Sequence, residues 1–144
     1  GDAVLELVVT EELYKKYPKL FRQKDLSIQE SCMPWGICFS LGWFPILESV
    51  CDLIENHIEQ KQEVQFEFTQ IKEKFGSMRL YYIGGDDFVD GVISMAESMS
   101  HDICELCGKP GKINKEGYWL SCRCEECRKE EEDAKNNQKQ SKMS

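Results

Sequence analysis

The sequence predicts an α+β fold, an antiparallel β-hairpin or small sheet packed by two helices, with a C-terminal zinc knuckle or ribbon. Three observations carry that expectation. Residues 63–68 alternate apolar and polar side chains, two longer stretches repeat apolar residues at intervals of three and four, and the last quarter holds two Cys-x2-Cys pairs. The 144 residues suit one domain of the usual ~100–200. With 41% hydrophobic and 10% aromatic residues, the chain can bury a core over most of its length.

Taken in order, residues 3–9 (Ala-Val-Leu-Glu-Leu-Val-Val) suit either the start of a strand or the lead into a helix. Thr10 reads as an N-cap before Glu11 and Glu12, whose charges suit the positive end of a helix. Leu13, Tyr14, Tyr17 and Phe21 fall near helical spacing until Pro18 interrupts them. Residues 22–42 read as loop, punctuated by Pro34, Gly36 and Gly42. From Trp43 to Ile58 the apolar repeat predicts an amphipathic helix of about four turns, with Pro45 in its first turn, where a missing N–H costs nothing. Cys51 and His57 lie on that helix as a small core residue and an edge-of-core histidine.

Val64, Phe66 and Phe68 then mark a half-buried strand, and Met78–Ile83 has strand composition too. Lys72–Gly76 joins them, which predicts an antiparallel hairpin turning at Gly76. Gly84-Gly85-Asp86-Asp87 ends the second strand, one of the two aspartates capping a helix. Phe88, Val92, Met95, Ala96, Met99 and Ile103 are the expected apolar face of that helix, which leads into Cys104. Gly117–Leu120 reads as a short strand. The chain thus divides into an α+β body (residues 1–103), a knuckle continuous with it (104–127) and a charged tail (128–144) expected to be a frayed helix or disordered.

Charge narrows the function. The chain has 18 Lys and Arg against 26 Asp and Glu, a net of −8. Residues 128–144 carry five basic and four acidic side chains and residues 104–127 four of each, so the body holds nine against eighteen and is the acidic part. A main role in gripping nucleic acid or an anionic membrane calls for a basic footprint that is missing here. No run of about 18 apolar residues and no basic-then-apolar leader is present, so no membrane crossing is expected.

The pairs Cys104/Cys107 and Cys124/Cys127, separated by sixteen residues, have the spacing of a four-cysteine zinc site. Each tight turn presents two thiolates to one side, and two such turns close a tetrahedron. Gly108 supplies the positive φ that such a turn needs. A closed set of four thiolates leaves no position for water, so the Zn²⁺ would be structural. Cys122 is read as a spare thiol, although the spacing Cys122-Arg123-Cys124 makes it a rival ligand. Cys32 and Cys38 match no ligand spacing.

No constellation for nucleophilic or acid–base catalysis includes His57 or His101, and no phosphate-cradling loop is present, so no enzyme activity is expected. Gly84–Asp87 is similar to the Gly-Gly-Asp-Glu turn of nucleotide cyclases, but here it lies between a strand and a helix and reads as a turn and a cap. A metal-dependent hydrolase would have to rest on Asp86 and Asp87. The aromatic cluster is more suggestive: Trp43 and Phe44 read as core rings, and Trp35 and Phe39 as candidates for a protein interface.

Two segments, Ile71-Lys-Glu-Lys-Phe-Gly-Ser-Met-Arg-Leu-Tyr-Tyr82 and Cys104-Glu-Leu-Cys-Gly-Lys-Pro-Gly111, resemble a family of small, uncharacterised bacteriophage and prophage proteins. In that family a Gly-Trp-Phe helix start precedes a Lys-Glu-Lys-Phe-Gly-x-x-Arg hairpin and a helix containing Ala-Glu-Ser. A Cys-x2-Cys-Gly-x-Pro-Gly knuckle follows, closed by a Trp-Leu segment and a Cys-x2-His or Cys-x2-Cys pair. The matching stretch runs from Pro34 to Cys127. The fourth ligand is often His in the family and is Cys127 here, a departure that raises Cys122 as a rival. The resemblance implies phage origin and a cytoplasmic setting, with no activity to transfer. The expected function is a non-enzymatic accessory that binds a host or phage protein, the phage context suggesting inhibition of a host defence system. The alternative is a zinc-ribbon regulator that grips nucleic acid through Lys109, Lys112, Lys115, Arg123 and Arg128.

Overall fold

The structure, a computed structural model, describes residues 2–114 and 119–143. It is α+β, with four α-helices and a small mixed sheet of three strands. Helix α1 spans Asp2–Lys16. Thr10 lies inside it rather than capping it, because nothing in residues 3–9 breaks the helix and the N–H groups ahead of Thr10 join its ladder. Pro18 closes the element as expected, by driving the residue before it out of helical geometry.

The stretch expected as loop is more ordered than its turn residues suggest. It holds 3₁₀ turns at Arg22–Asp25, Met33–Trp35 and Leu41–Trp43, and a two-residue strand, β1 (Ile37–Cys38). Helix α2 (Phe44–Gln60) carries Pro45 in its first turn and buries Leu47, Cys51 and Ile54. Strand β2 covers Phe66–Lys74 and β3 covers Ser77–Gly84. The sheet order is β1-β2-β3, with β1 parallel and β3 antiparallel to β2. The first strand therefore starts later than expected and runs through the residues taken for a connection. Register slips between Phe68 and Gln70, so the buried set changes from Phe66 and Phe68 to Ile71. An unbroken alternation could not place all three rings and side chains inward.

Only Phe75 and Gly76 link β2 to β3, and both have positive φ, 55° and 80°. This is the two-residue hairpin loop for which Asn-Gly is favoured. Phe75 is exposed and strained there, since a side chain in the left-handed region costs about 1–2 kcal/mol. Phe75→Asn is expected to stabilise the fold by about 1 kcal/mol, read as a higher urea midpoint. A lower midpoint would show that the ring contributes something the turn does not reveal.

Helix α3 (Asp87–Met99) starts at Asp86, whose side chain accepts from Val89 N (3.1 Å). Its core-facing stripe is Val89, Ile93 and Ala96, not the expected one: Phe88, Met95 and Met99 are exposed and only Ala96 belongs to both. Polar groups set this rotation. Ser100 Oγ accepts from Met78 N (2.9 Å) and Glu97 Oε2 from Leu80 N (2.9 Å), so both must face β3. Left unpaired, each such buried N–H would cost about 1–3 kcal/mol. A 3₁₀ turn, Ser100–Asp102, separates α3 from the cysteines.

The core lies between the sheet, α2 and α3, around Trp43, Phe21, Phe68 and Met78. Phe39 is 5% exposed and packs edge-on against Trp43 (5.5 Å) and Phe44 (5.4 Å). That corrects its assignment to an interface. It closes the core alongside the two rings expected there, the short β1 having turned it inward. Trp35 is 68% exposed.

Candidate metal centre

The C-terminal quarter consists of a two-stranded antiparallel sheet, β4 (Lys112–Ile113) with β5 (Cys122–Arg123), and helix α4 (Glu125–Met143). The strand expected at 117–120 falls partly outside the described residues; among the described residues Trp119 and Leu120 belong to no strand, and Cys122 and Arg123 make the pair with β4 instead. The tail is helical rather than disordered, and α4 crosses the expected boundary at 127/128. Its start is explained by the cysteines. Cys124 Sγ accepts from Cys127 N (3.4 Å), as an N-cap oxygen would, and Glu125 and Glu126 occupy the first turn.

Two turns bring the four expected ligands together. Gly108, with φ 80°, returns its N–H to Cys104 O (2.9 Å), closing the loop that carries Cys104 and Cys107. Cys124 and Cys127 sit at the head of α4. The sulfurs of Cys104, Cys107, Cys124 and Cys127 all lie within 4.8 Å of one another, with Cys107 and Cys124 3.6 Å apart. A tetrahedron of metal–sulfur bonds near 2.3 Å has edges of about 3.8 Å, so these residues fit one ion. Among the described residues this is the single cluster of three or more Cys, His, Asp or Glu side chains arranged to hold a metal.

The electrostatics agree. Burial raises the Cys104 thiol, but backbone hydrogen bonds from Cys124, Cys107 and Leu106 outweigh it and bring it down to about 7. Burial and the neighbouring sulfurs hold Cys107 and Cys127 up. Four sulfurs this close resist ionising together, and a cation bound among them would offset that repulsion. Cys122 stands apart. Its thiol reaches Ile103 O (3.1 Å), and burial, with the charge of Cys104, pushes it up to about 11. A protonated thiol tied to a carbonyl is the spare cysteine expected from the spacing.

The cluster is locked onto the body by contacts that the spacing of cysteines does not announce. Glu105, between the first two ligands, is buried. Its carboxylate accepts from Ser40 N (2.9 Å) and from Arg123 Nη1 (3.2 Å), and Arg123 Nε donates to Glu131 Oε1 (2.7 Å). Burial disfavours the Arg123 charge, yet the two carboxylates hold its pKa above the usual value. Gly42 N donates to Glu105 O (2.7 Å), and Trp43 Nε1 to Ile103 O (2.8 Å). A Cβ on Gly42 would fall 2.6 Å from Gly108 N, 2.5 Å from Glu105 O and closer still to Cys104 O. The one visible sign was pairing by position: Glu105 follows the first ligand and Arg123 precedes the third.

Several of the other singled-out groups have structural partners. Asp86 receives His57 Nε2 at 2.7 Å as well as the amide of Val89, and His57 stacks on Phe88 (4.3 Å). The hydrogen bond with His57, then that from Val89, lowers the Asp86 pKa. The stability this confers is present above the ordinary carboxylate range and is lost as pH falls through the lowered value. Of the basic residues expected near the knuckle, Lys109 pairs with Glu126 (3.3 Å), Arg128 Nη2 donates to Lys112 O (3.1 Å), and Lys115 lies outside the described residues. Among the described residues no helix is long and apolar enough to cross a membrane. No family model, curated protein or solved structure matches this chain.

Proposed function

We propose that this chain is a non-enzymatic accessory protein of a bacteriophage, stabilised by a structural zinc ion, that binds a host-encoded protein in the host cytoplasm and inhibits a defence system. The observation that carries the reading is the four-sulfur cluster, joined to the body through Glu105 and Gly42. A tetrahedral set of four sulfurs suits zinc or an iron–sulfur centre, and two Cys-x2-Cys turns are a zinc-ribbon arrangement. Zinc would be held by Cys104, Cys107, Cys124 and Cys127, and would supply folding energy to a segment too small to hold itself together. The exposed Trp35 and the acidic body support a role in protein contact. Phage origin and the inhibitory direction rest on the motif resemblance.

The nucleic-acid alternative has weaker support, because Arg123 is already held by two carboxylates of the chain itself, the buried Glu105 and the exposed Glu131. Elemental analysis of purified protein is expected to return one zinc per chain, and native capture at physiological salt a specific host protein identified by mass spectrometry. Iron, no metal, or capture of nothing specific would count against the reading. Salt-dependent retardation of DNA or RNA would replace it with the alternative.

A further inference from the structure

The face of the sheet turned away from the core carries cations with nothing to answer them. Ile71 and Leu80, opposite each other on β2 and β3, are buried in the core, so their neighbours Lys72 and Arg79, also opposite each other, share the outer face. Tyr81, two residues from Arg79 on that face, is 42% exposed, and the Lys72 ammonium stands 6.0 Å from the centre of its ring. Like charges directly opposite on neighbouring strands destabilise a sheet. No carboxylate offsets them here: among the described residues neither Lys72 nor Arg79 takes part in an ion pair. The two glutamates of β2 are engaged elsewhere, Glu73 accepting from Gly76 N (2.8 Å) and Glu67 from Gln23 Nε2 (2.9 Å). Arg79 Nε is buried and meets no acceptor of the chain itself, although a buried donor on a charged group is costly to leave unpaired. A local rule broken in this way, with no compensation inside the protein, is expected where a site serves function.

We propose that Lys72 and Arg79 together receive a carboxylate side chain of a partner protein, on the outer face of the sheet beside the Tyr81 ring. The planar guanidinium fork matches a carboxylate, and the ammonium adds a point charge from the neighbouring strand. The charge around the pair selects the size of the anion. A single carboxylate needs only these two cations, whereas a polyanion such as nucleic acid also meets an acidic body of eighteen Asp and Glu against nine Lys and Arg. The proposal rests on the reading of the chain as a binding protein and names the site and chemistry of the contact.

The test uses the full-length, metal-loaded protein and two labelled peptides of one scaffold, one carrying glutamates and the other glutamines in their place. Fluorescence anisotropy is expected to show binding of the glutamate peptide alone. Arg79→Gln and Lys72→Gln are each expected to weaken it about tenfold, the effect of losing a hydrogen bond between charged groups, and Arg79→Lys, which keeps the charge without the fork, to recover part of the loss. Lys135→Gln, the same change of charge at an exposed position of α4, is expected to leave binding unchanged. The thermal midpoint of Arg79→Gln is expected to hold or rise, because one of two opposed like charges is gone. Binding of both peptides alike, equal weakening by Lys135→Gln, or a lowered midpoint with undiminished binding in Arg79→Gln would overturn the proposal. So would a single-stranded DNA oligonucleotide that binds more tightly than the glutamate peptide and is released by Arg79→Gln, since the face would then belong to phosphates. Capture of a specific host protein that Arg79→Gln does not affect would remove this site while leaving the binding function standing; capture of nothing removes the function itself.

Discussion

Cys104→Ser is expected to empty the metal centre and unfold the C-terminal quarter. Zinc content should fall from one per chain to near zero, and the thermal midpoint by more than about ten degrees, because a structural zinc site contributes about 10–16 kcal/mol of apparent binding energy in small modules. Surrounding amides bring the Cys104 thiol down to about 7, so its loss removes a sulfur already disposed to ionise toward a metal. Limited proteolysis should open the chain between the two cysteine pairs. The matched control is Cys122→Ser, which leaves all four ligands in place and is expected to retain the metal. A full complement of zinc in Cys104→Ser would transfer the ligand role elsewhere and undo the assignment of the cluster.

Gly42→Ala is expected to be nearly as damaging without touching a sulfur. The added methyl group would meet three backbone atoms of the first cysteine turn, none of which can rotate away as a side chain could. Overpacking typically costs about 1–3 kcal/mol, and a clash against backbone on three sides belongs at or above the top of that range. Part of the cost should appear at the metal. If the body holds the turn in shape, zinc should pass to a competing chelator several-fold faster in the variant. An unchanged transfer rate with a lowered thermal midpoint would mean that the turn keeps its own geometry and that Gly42 serves packing alone.

The elements that the sequence announced are those whose periodicity and punctuation agree. Helix α2 has an apolar repeat, a proline at its start and no competing pattern; the hairpin has Gly76; the four ligands have a spacing with few alternatives. The discrepancies arose where two patterns of similar strength overlapped. Helix α3 has two apolar stripes, and hydrophobicity cannot rank them. Ser100 and Glu97 chose between them through two strand amides, an interaction between residues 17 and 22 positions apart in the chain. Phe39 went inward because of a two-residue strand too short to leave a period. Glu105 was hidden for a different reason: a buried carboxylate looks like any surface glutamate until its partners Ser40 and Arg123 are seen around it.

The way α3 lies along β3 bears on how this molecule can meet others. The outward amides of Met78 and Leu80 are already engaged by Glu97 and Ser100, and at the opposite margin β1 is only two residues long. Both margins of this sheet are blunted in the described residues, which works against recruitment by strand addition and against the stacking of copies into fibrils by the same route, and shifts recognition toward side chains.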